Sequence, residues 1–134
     1  MGSLSRLLLG GYVPDALRAE LDAEAVLILA EDCPGTLTYR NFRSPRRRAS
    51  LKKQGIRAAV VVTSRRVVIC RRSGPLLDVP FDDPRFAALE WEEDRPDRFC
   101  VGFDVAVFHD DWSGRWEIRL TTDRTPEILA RVRS

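Results

Sequence analysis

Residues 55–72, GIRAAVVVTSRRVVICRR, form the most strand-like run in the chain. Two apolar stretches flank a polar break at Thr63, Ser64 and Arg65. Along both stretches the side chains alternate between two faces, as they do in paired strands. We therefore predict a β-hairpin whose apolar residues contribute to a core and whose rim is strongly basic.

The length and composition indicate a single soluble domain. The chain has 134 residues, of which 44% are apolar and 31% charged, and this is typical of a globular protein with one core. No run approaches the roughly 18 apolar residues of a membrane-spanning helix. The N-terminal Leu7-Leu8-Leu9 is too short for the core of a signal peptide. These features predict a cytoplasmic protein.

The charges are distributed unevenly along the chain. Between Cys33 and Leu77 there are twelve basic residues and no acidic one. From Asp78 to Glu117 the balance inverts, with twelve acidic residues against four arginines. The net charge of +2 therefore hides a basic half and an acidic half. Such an asymmetry bears on the binding partners rather than on the fold.

The N-terminal half predicts one helix and several strands. We expect a loose lead-in over residues 1–13 and a single domain over residues 14–134 that begins with a short amphipathic helix. The further elements expected in this half are a strand at 25–30, a Pro-Gly turn at 31–35, a strand at 37–42 and a long polar loop at 43–54. This loop carries most of the positive charge.

The C-terminal half predicts strands followed by a closing helix. Phe99, Val101, Phe103, Val105 and Val107 recur at period two, which is typical of a strand with one buried face. The other elements expected in this half are an edge strand at 76–81 containing Pro80, a strand from about 88, a return strand at 115–121 and a short helix at 125–132. The prediction is a mainly β protein of seven or eight antiparallel strands, bent into a sheet or barrel.

From about residue 24 onward the chain resembles a pleckstrin-homology-like domain of the GRAM or bacterial type. The resemblance rests on VVVTSRRVVI at 60–69, LLDVPFDD at 76–83 and the helix TPEILARV at 125–132. It implies a bent seven-stranded barrel capped by a C-terminal helix, with the helix at 14–24 as an addition. It also implies no catalysis, and a docking role toward lipid headgroups, peptides or proteins.

The resemblance places an anion site at the basic loop before the central hairpin. The residues expected to bind the anion are Arg43, Arg46, Arg47, Arg48, Lys52, Lys53 and Arg57. Lipid headgroups at the inner membrane surface are the first expected partner, since basic residues near an anionic surface each contribute about 1 kcal/mol. A protein partner or a homo-oligomer with complementary basic and acidic faces is the alternative, and a solvated loop without function stays open.

Other chemistries find little support in the sequence. Nucleic acid is disfavoured because only Tyr39 and Phe42 are near enough to the loop to stack on bases. The three cysteines form no zinc or redox spacing, and the single histidine, His109, lies in a predicted turn. We expect no enzyme activity, no metal and no cofactor. Trp112 lies in the same turn and is a candidate partner contact.

Overall fold

A computed structural model describes residues 10–134 of the chain, so residues 1–9 of the expected lead-in lie outside it. Within the described part the chain forms two α-helices, seven strands and two short 3₁₀ helices. The helices are α1 (Asp15–Asp22) and α2 (Thr125–Val132); the strands are β1 (Val26–Arg43), β2 (Arg48–Thr63), β3 (Arg66–Arg71), β4 (Gly74–Pro80), β5 (Glu90–Arg95), β6 (Arg98–Asp104) and β7 (Ser113–Thr121); the 3₁₀ helices span Pro84–Ala88 and Val105–Val107.

The seven strands form one antiparallel sheet in the order β4-β3-β2-β1-β7-β6-β5. The mainly β class is therefore confirmed. The sheet is not closed, and β4 and β5 are its edge strands. Leu77 of β4 and Phe103 of β6 nevertheless line one cavity of about 250 Å³. In a flat sheet these two strands would be about 24 Å apart, so the sheet curves strongly around its core.

The central hairpin of β2 and β3 is buried on both of its faces. Val60 and Val62 of β2 belong to the main core, whereas Ala59 and Val61 pack with Leu21 of α1 on the opposite face. All five side chains are fully buried. Because both faces are apolar, this part of β2 has a nearly continuous apolar sequence rather than a strict alternation.

Arg66, at the start of β3, links α1 to the sheet. Its guanidinium forms salt bridges of 2.9 Å with Glu20, 2.8 Å with Glu24 and 2.9 Å with Asp78 of β4. The Arg66 side chain is only 13% exposed, so these carboxylates replace the water it has lost. Burial by itself lowers the pKa of Arg66, but the carboxylates outweigh burial and hold this pKa above its ordinary value.

The predicted turn at residues 31–35 is wrong, because β1 continues through it as one long strand. A β-bulge lies between Ala30 and Cys33, and Asp32 within it has a φ of 54°. A bulge can accept a proline that would otherwise interrupt the sheet. Pro34 therefore marks an irregularity in a strand and not the end of one.

The glycines of this region serve close contacts between strands. A side chain on Gly35 would collide with the backbone carbonyl of Arg119 in β7, and one on Gly114 would collide with the carbonyl of Asn41 in β1. Gly114 also has a φ of 102°, which favours glycine. These two positions let β7 lie directly against β1, which brings the loop before β7 close to the end of the β1–β2 hairpin.

The predicted polar loop at residues 43–54 is also wrong. Most of it belongs to β2, which pairs with β1 residue by residue from Thr63 down to Arg48. Only residues 44–47 form the connection. The sequence of this half of β2 carries no apolar alternation, because most of its side chains are exposed. Its strand structure comes from backbone pairing with β1, which leaves no hydrophobic signature.

Most of the remaining expectations are confirmed. The helix predicted from residue 14 is α1, the closing helix is α2, and β4 is an edge strand that contains Pro80. The alternation predicted from Phe99 ends early, since β6 stops at Asp104 and Val105 begins a 3₁₀ helix. Val105 still points into the core. Its side chain is buried, as the alternation predicts, although the backbone at this position forms a 3₁₀ helix and not a strand.

Residues 10–13, which we grouped with the lead-in, lie against the bulge of β1. The Gly11 amide donates to a carboxylate oxygen of Asp32 at 3.1 Å, and the Val13 amide donates to Glu31 at 3.2 Å. The Val13 side chain is buried with the residues beneath α1. This segment therefore anchors the approach to α1 on the sheet.

Candidate functional site

The β1–β2 connection, which we call the hairpin tip (residues 43–48), is a tight turn. The Ser44 amide donates to the Arg47 carbonyl at 2.8 Å, and the Arg47 amide donates back to Ser44 at 3.4 Å. The turn gathers four arginines around one depression of about 520 Å³. They are Arg43, Arg46, Arg47 and Arg48, and Asp111 from the loop before β7 completes the lining.

An aromatic groove of about 510 Å³ adjoins the hairpin tip. Trp112 contacts Phe42 edge to face with ring centroids 5.5 Å apart, and it lies 5.6 Å from Trp116. His109 stacks on Trp112 at 3.7 Å. The groove is also lined by Tyr39, Arg46, Arg47 and Arg71. The site thus combines an apolar aromatic floor with a cationic rim.

Arg71, the last residue of β3, lies between this groove and a second cleft. The second cleft has a volume of about 520 Å³ and is lined by Gly55, Arg57, Arg72 and Ser73, among others. The Nε–H of Arg71 is buried and has no hydrogen-bond partner in the described part of the chain. A buried donor without a partner is costly. Arg71 lines both clefts and forms no salt bridge within residues 10–134, so its guanidinium is available to donate to a ligand in either of them.

The structure divides the seven predicted anion-binding residues into two groups. Four of them meet at the hairpin tip, as described above. The other three lie along β2, where Lys52 and Lys53 are adjacent and therefore project from opposite faces. Arg57 already binds Asp32, with Nε at 2.8 Å from the carboxylate, and this hydrogen bond lowers the pKa of Asp32. The seven residues therefore do not form one common site.

Ion pairing divides the arginines of the described chain into two groups, and all four tip arginines belong to the unpaired group. Nine arginines between residues 10 and 134 form salt bridges with carboxylates: Arg18, Arg40, Arg57, Arg66, Arg85, Arg98, Arg115, Arg119 and Arg124. Within the same residues, no salt bridge involves the four tip arginines, Lys52, Lys53 or six further arginines, which are Arg65, Arg71, Arg72, Arg95, Arg131 and Arg133. Their positive charge is left for water or for a ligand.

The cysteines of residues 10–134 are buried, and the His, Cys, Asp and Glu side chains of these residues are not grouped around a metal site. Cys33, Cys70 and Cys100 are buried free thiols. Burial raises the pKa of Cys33 to about 11 and that of Cys70 to about 12, which disfavours the reactive thiolate. Among residues 10–134 no group of three or more His, Cys, Asp or Glu side chains could hold a metal ion.

Sequence reasoning found the tip arginines and Trp112 but not the residues that join them. Tyr39 and Phe42 lie in the strand predicted at 37–42, Trp116 lies in the return strand predicted at 115–121, and Arg71 is one residue of the basic half. Each is close to a strand end or an irregularity of β1, and the curved sheet brings them together. The sequence signal that could have identified Arg71 as a site residue is its position directly after the apolar run of β3.

No helix within residues 10–134 has both the length and the apolar character needed to cross a membrane. Comparison of the chain with protein-family models, with curated proteins and with solved structures finds no match in any of the three.

Proposed function

We propose that this protein is a non-catalytic binding module that docks on anionic lipid headgroups through its hairpin tip. The observation that carries the proposal is the contrast in ion pairing. Most arginines elsewhere in the sheet are matched by carboxylates, whereas Arg43, Arg46, Arg47 and Arg48 share one depression beside Asp111 without a salt bridge. Each unpaired cation at an anionic surface contributes about 1 kcal/mol, so four of them suffice for reversible docking.

The aromatic groove beside the tip supports a lipid surface as the source of the anion. Trp112 is half-buried at the mouth of this groove. Tryptophan is enriched where protein meets the interface of a bilayer, since its ring is apolar and its N–H is polar. A surface that presents arginines next to such a ring can bind headgroup phosphates and contact the acyl boundary at the same time.

A pleckstrin-homology-like architecture is part of the same proposal. The strand order β4-β3-β2-β1-β7-β6-β5 and the curvature of the sheet support it. The C-terminal helix α2 supports it as well, since Ile128, Leu129 and Val132 pack into the main core. In this arrangement the tip, the β3–β4 turn and the loop before β7 surround one open end. We place the protein in the cytoplasm, peripheral to the inner membrane surface.

Co-sedimentation with vesicles tests the proposal. The probe is phosphatidylcholine with about one third phosphatidylserine, at low and at high salt. We expect binding at low salt that weakens as salt rises. The triple variant Arg43→Ala/Arg46→Ala/Arg47→Ala removes roughly 3 kcal/mol of attraction, so its affinity falls about 100-fold or more.

A matched control removes the same charge elsewhere. Arg18→Ala/Arg98→Ala/Arg124→Ala deletes three arginines that are already paired with Asp22, Asp94 and Glu127. Its vesicle binding stays within about threefold of the wild type, because distant charges are screened. Absence of low-salt binding by the wild type, or equal losses in the two triple variants, would refute lipid docking at the tip.

A further inference from the structure

β2 is much longer than the strand next to it, and half of it has an open edge. β2 pairs with β3 only from Ala59 to Val62, whereas it pairs with β1 as far as Arg48. Residues 48–57 therefore have β1 on one side, and on the other side no backbone partner within the described chain. We propose that this open edge binds an extended acidic peptide segment, which adds to the sheet as an eighth strand.

The open edge is long, and among the described residues it is accessible except at its C-terminal end, where Gly11 lies against the backbone of Arg57. Ten residues extend about 33 Å, and about five of them direct both N–H and C=O away from β1. Leu51 is 66% exposed, and a side chain added at Gly55 would meet no atom within 4 Å. The cleft of about 520 Å³ beside Gly55 and Arg57 continues toward the β3–β4 turn. An added strand therefore has room along this edge and a place for its side chains.

The two outer edges of the sheet are protected in ways that the open edge is not. On β4, Pro75 and Pro80 have no N–H to offer a further strand. On β5, the Trp91 carbonyl already accepts a hydrogen bond from Arg133 at 3.1 Å. Such protection prevents unwanted pairing of edge strands. The edge of residues 48–57 carries basic side chains instead, which oppose pairing with a like-charged strand but not with an acidic one.

The basic side chains along the open edge determine which kind of strand can bind there. Arg48, Lys52 and Lys53 on the edge and Arg71 and Arg72 beside it form no salt bridge within residues 10–134. Carboxylate side chains on an added strand would meet these cations across the edge, at cross-strand spacing. The same cations repel the β2 edge of a second copy, which disfavours a symmetric dimer through this strand. The partner that fits is an extended segment rich in glutamate or aspartate.

The first experiment tests strand addition itself on the wild-type protein. The probe is a ten-residue peptide that alternates glutamate with valine, titrated at about 150 mM salt to screen long-range attraction. We expect saturable binding, with amide hydrogen exchange slowed at least about tenfold at alternate positions within residues 48–57. The same peptide with N-methyl groups on two adjacent central residues has both of its edges blocked, and it binds at least about tenfold more weakly.

The second experiment separates this edge from the hairpin tip. Lys52→Glu/Lys53→Glu weakens peptide binding at least about tenfold, since it removes two attractions and adds two repulsions. The matched variant Arg46→Glu/Arg47→Glu carries the same change in charge but keeps peptide affinity within about threefold. Because vesicle binding depends on the tip, this variant loses vesicles and retains the peptide if both proposals hold.

Several outcomes would overturn the strand-addition proposal. One is equal binding of the N-methylated and the unmodified peptide, which would indicate attraction by charge alone. Another is protection from exchange outside residues 48–57, or none at all. A third is concentration-dependent self-association that protects these residues without peptide, since the occupant would then be a second copy. These readouts use the wild-type chain, so they stand even if a lysine variant fails to fold.

Discussion

The arginines at the two ends of β2 differ in how their positive charge is neutralised. Arg66, just beyond the C-terminal end of β2, is largely buried among Glu20, Glu24 and Asp78. The hairpin tip, at the other end of β2, gathers four arginines that have no carboxylate partner within residues 10–134. The same side chain therefore serves the fold at one end and is left for a ligand at the other.

The difference follows from the environment of each guanidinium. A buried charge must recover its lost hydration from the protein, and Arg66 does so with three carboxylates. An exposed arginine is hydrated already, so it needs no partner and adds little to stability. Positive charges gathered at one turn also repel one another. Folding does not require this repulsion, so we expect the tip arginines to contribute little to stability.

The largest effect is expected for Arg66→Met. This change leaves Glu24 partly buried without its cation, and detaches Glu20 and Asp78 from a common partner. We expect the free energy of unfolding to fall by about 2–4 kcal/mol, measured by urea denaturation at pH 7. The matched change Arg47→Met at the tip costs less than about 0.5 kcal/mol. If both variants lost a similar free energy of unfolding, Arg66 and the tip arginines would not differ in their contribution to stability.

The next largest effect is the pH dependence of the stability difference between the wild type and Arg66→Met. Burial raises the pKa of Glu24, but hydrogen bonds from Thr63 and Arg66 outweigh burial and hold it below its ordinary value of 4.5. A carboxyl group with a lowered folded-state pKa stabilises the protein above its unfolded pKa, and this contribution is lost as pH falls through the folded pKa. The stability gap between wild type and Arg66→Met is therefore widest at pH 7 and narrows below about pH 4.5.

Urea denaturation of both proteins from pH 7 to pH 3 measures this gap. Glu117 and Asp32 also have lowered pKa values, but both proteins share them, so their contributions cancel in the difference. A gap that stays constant or widens toward acid would mean that Glu24 does not depend on Arg66 for its ionised state.

The smallest effect is expected at the tip. Arg43→Ala/Arg46→Ala/Arg47→Ala changes the free energy of unfolding by less than about 0.5 kcal/mol, and the sign at low salt is stabilising because repulsion is relieved. Added salt screens the same repulsion in the wild type, so the two proteins converge as salt rises. Urea denaturation at two salt concentrations measures this. Marked destabilisation of the triple variant would assign these arginines to the fold.

Parts of the fold follow directly from residue patterns. Where side chains are buried, the pattern is strong, as in the apolar runs of β2 and β3 and in the alternation that begins at Phe99. The two errors lie where the backbone, rather than the side chains, holds the structure. Pro34 and Gly35 look like a turn, but Pro34 follows a bulge in β1 and pairs with Arg57, and Gly35 makes a close contact with β7. The exposed first half of β2 resembles a loop because its order comes from pairing with β1 alone.

The sequence by itself determined the class of the protein and the location of its charge, because burial and charge are properties of the residues themselves. It predicts a mainly β domain with helices near both ends, and it locates the basic half. Only the tertiary structure decided which cations are paired. Pairing depends on distances between strands far apart in sequence, such as the 2.9 Å from Arg66 to Asp78. The register of three strands likewise left residues 48–57 without a second strand partner among residues 10–134.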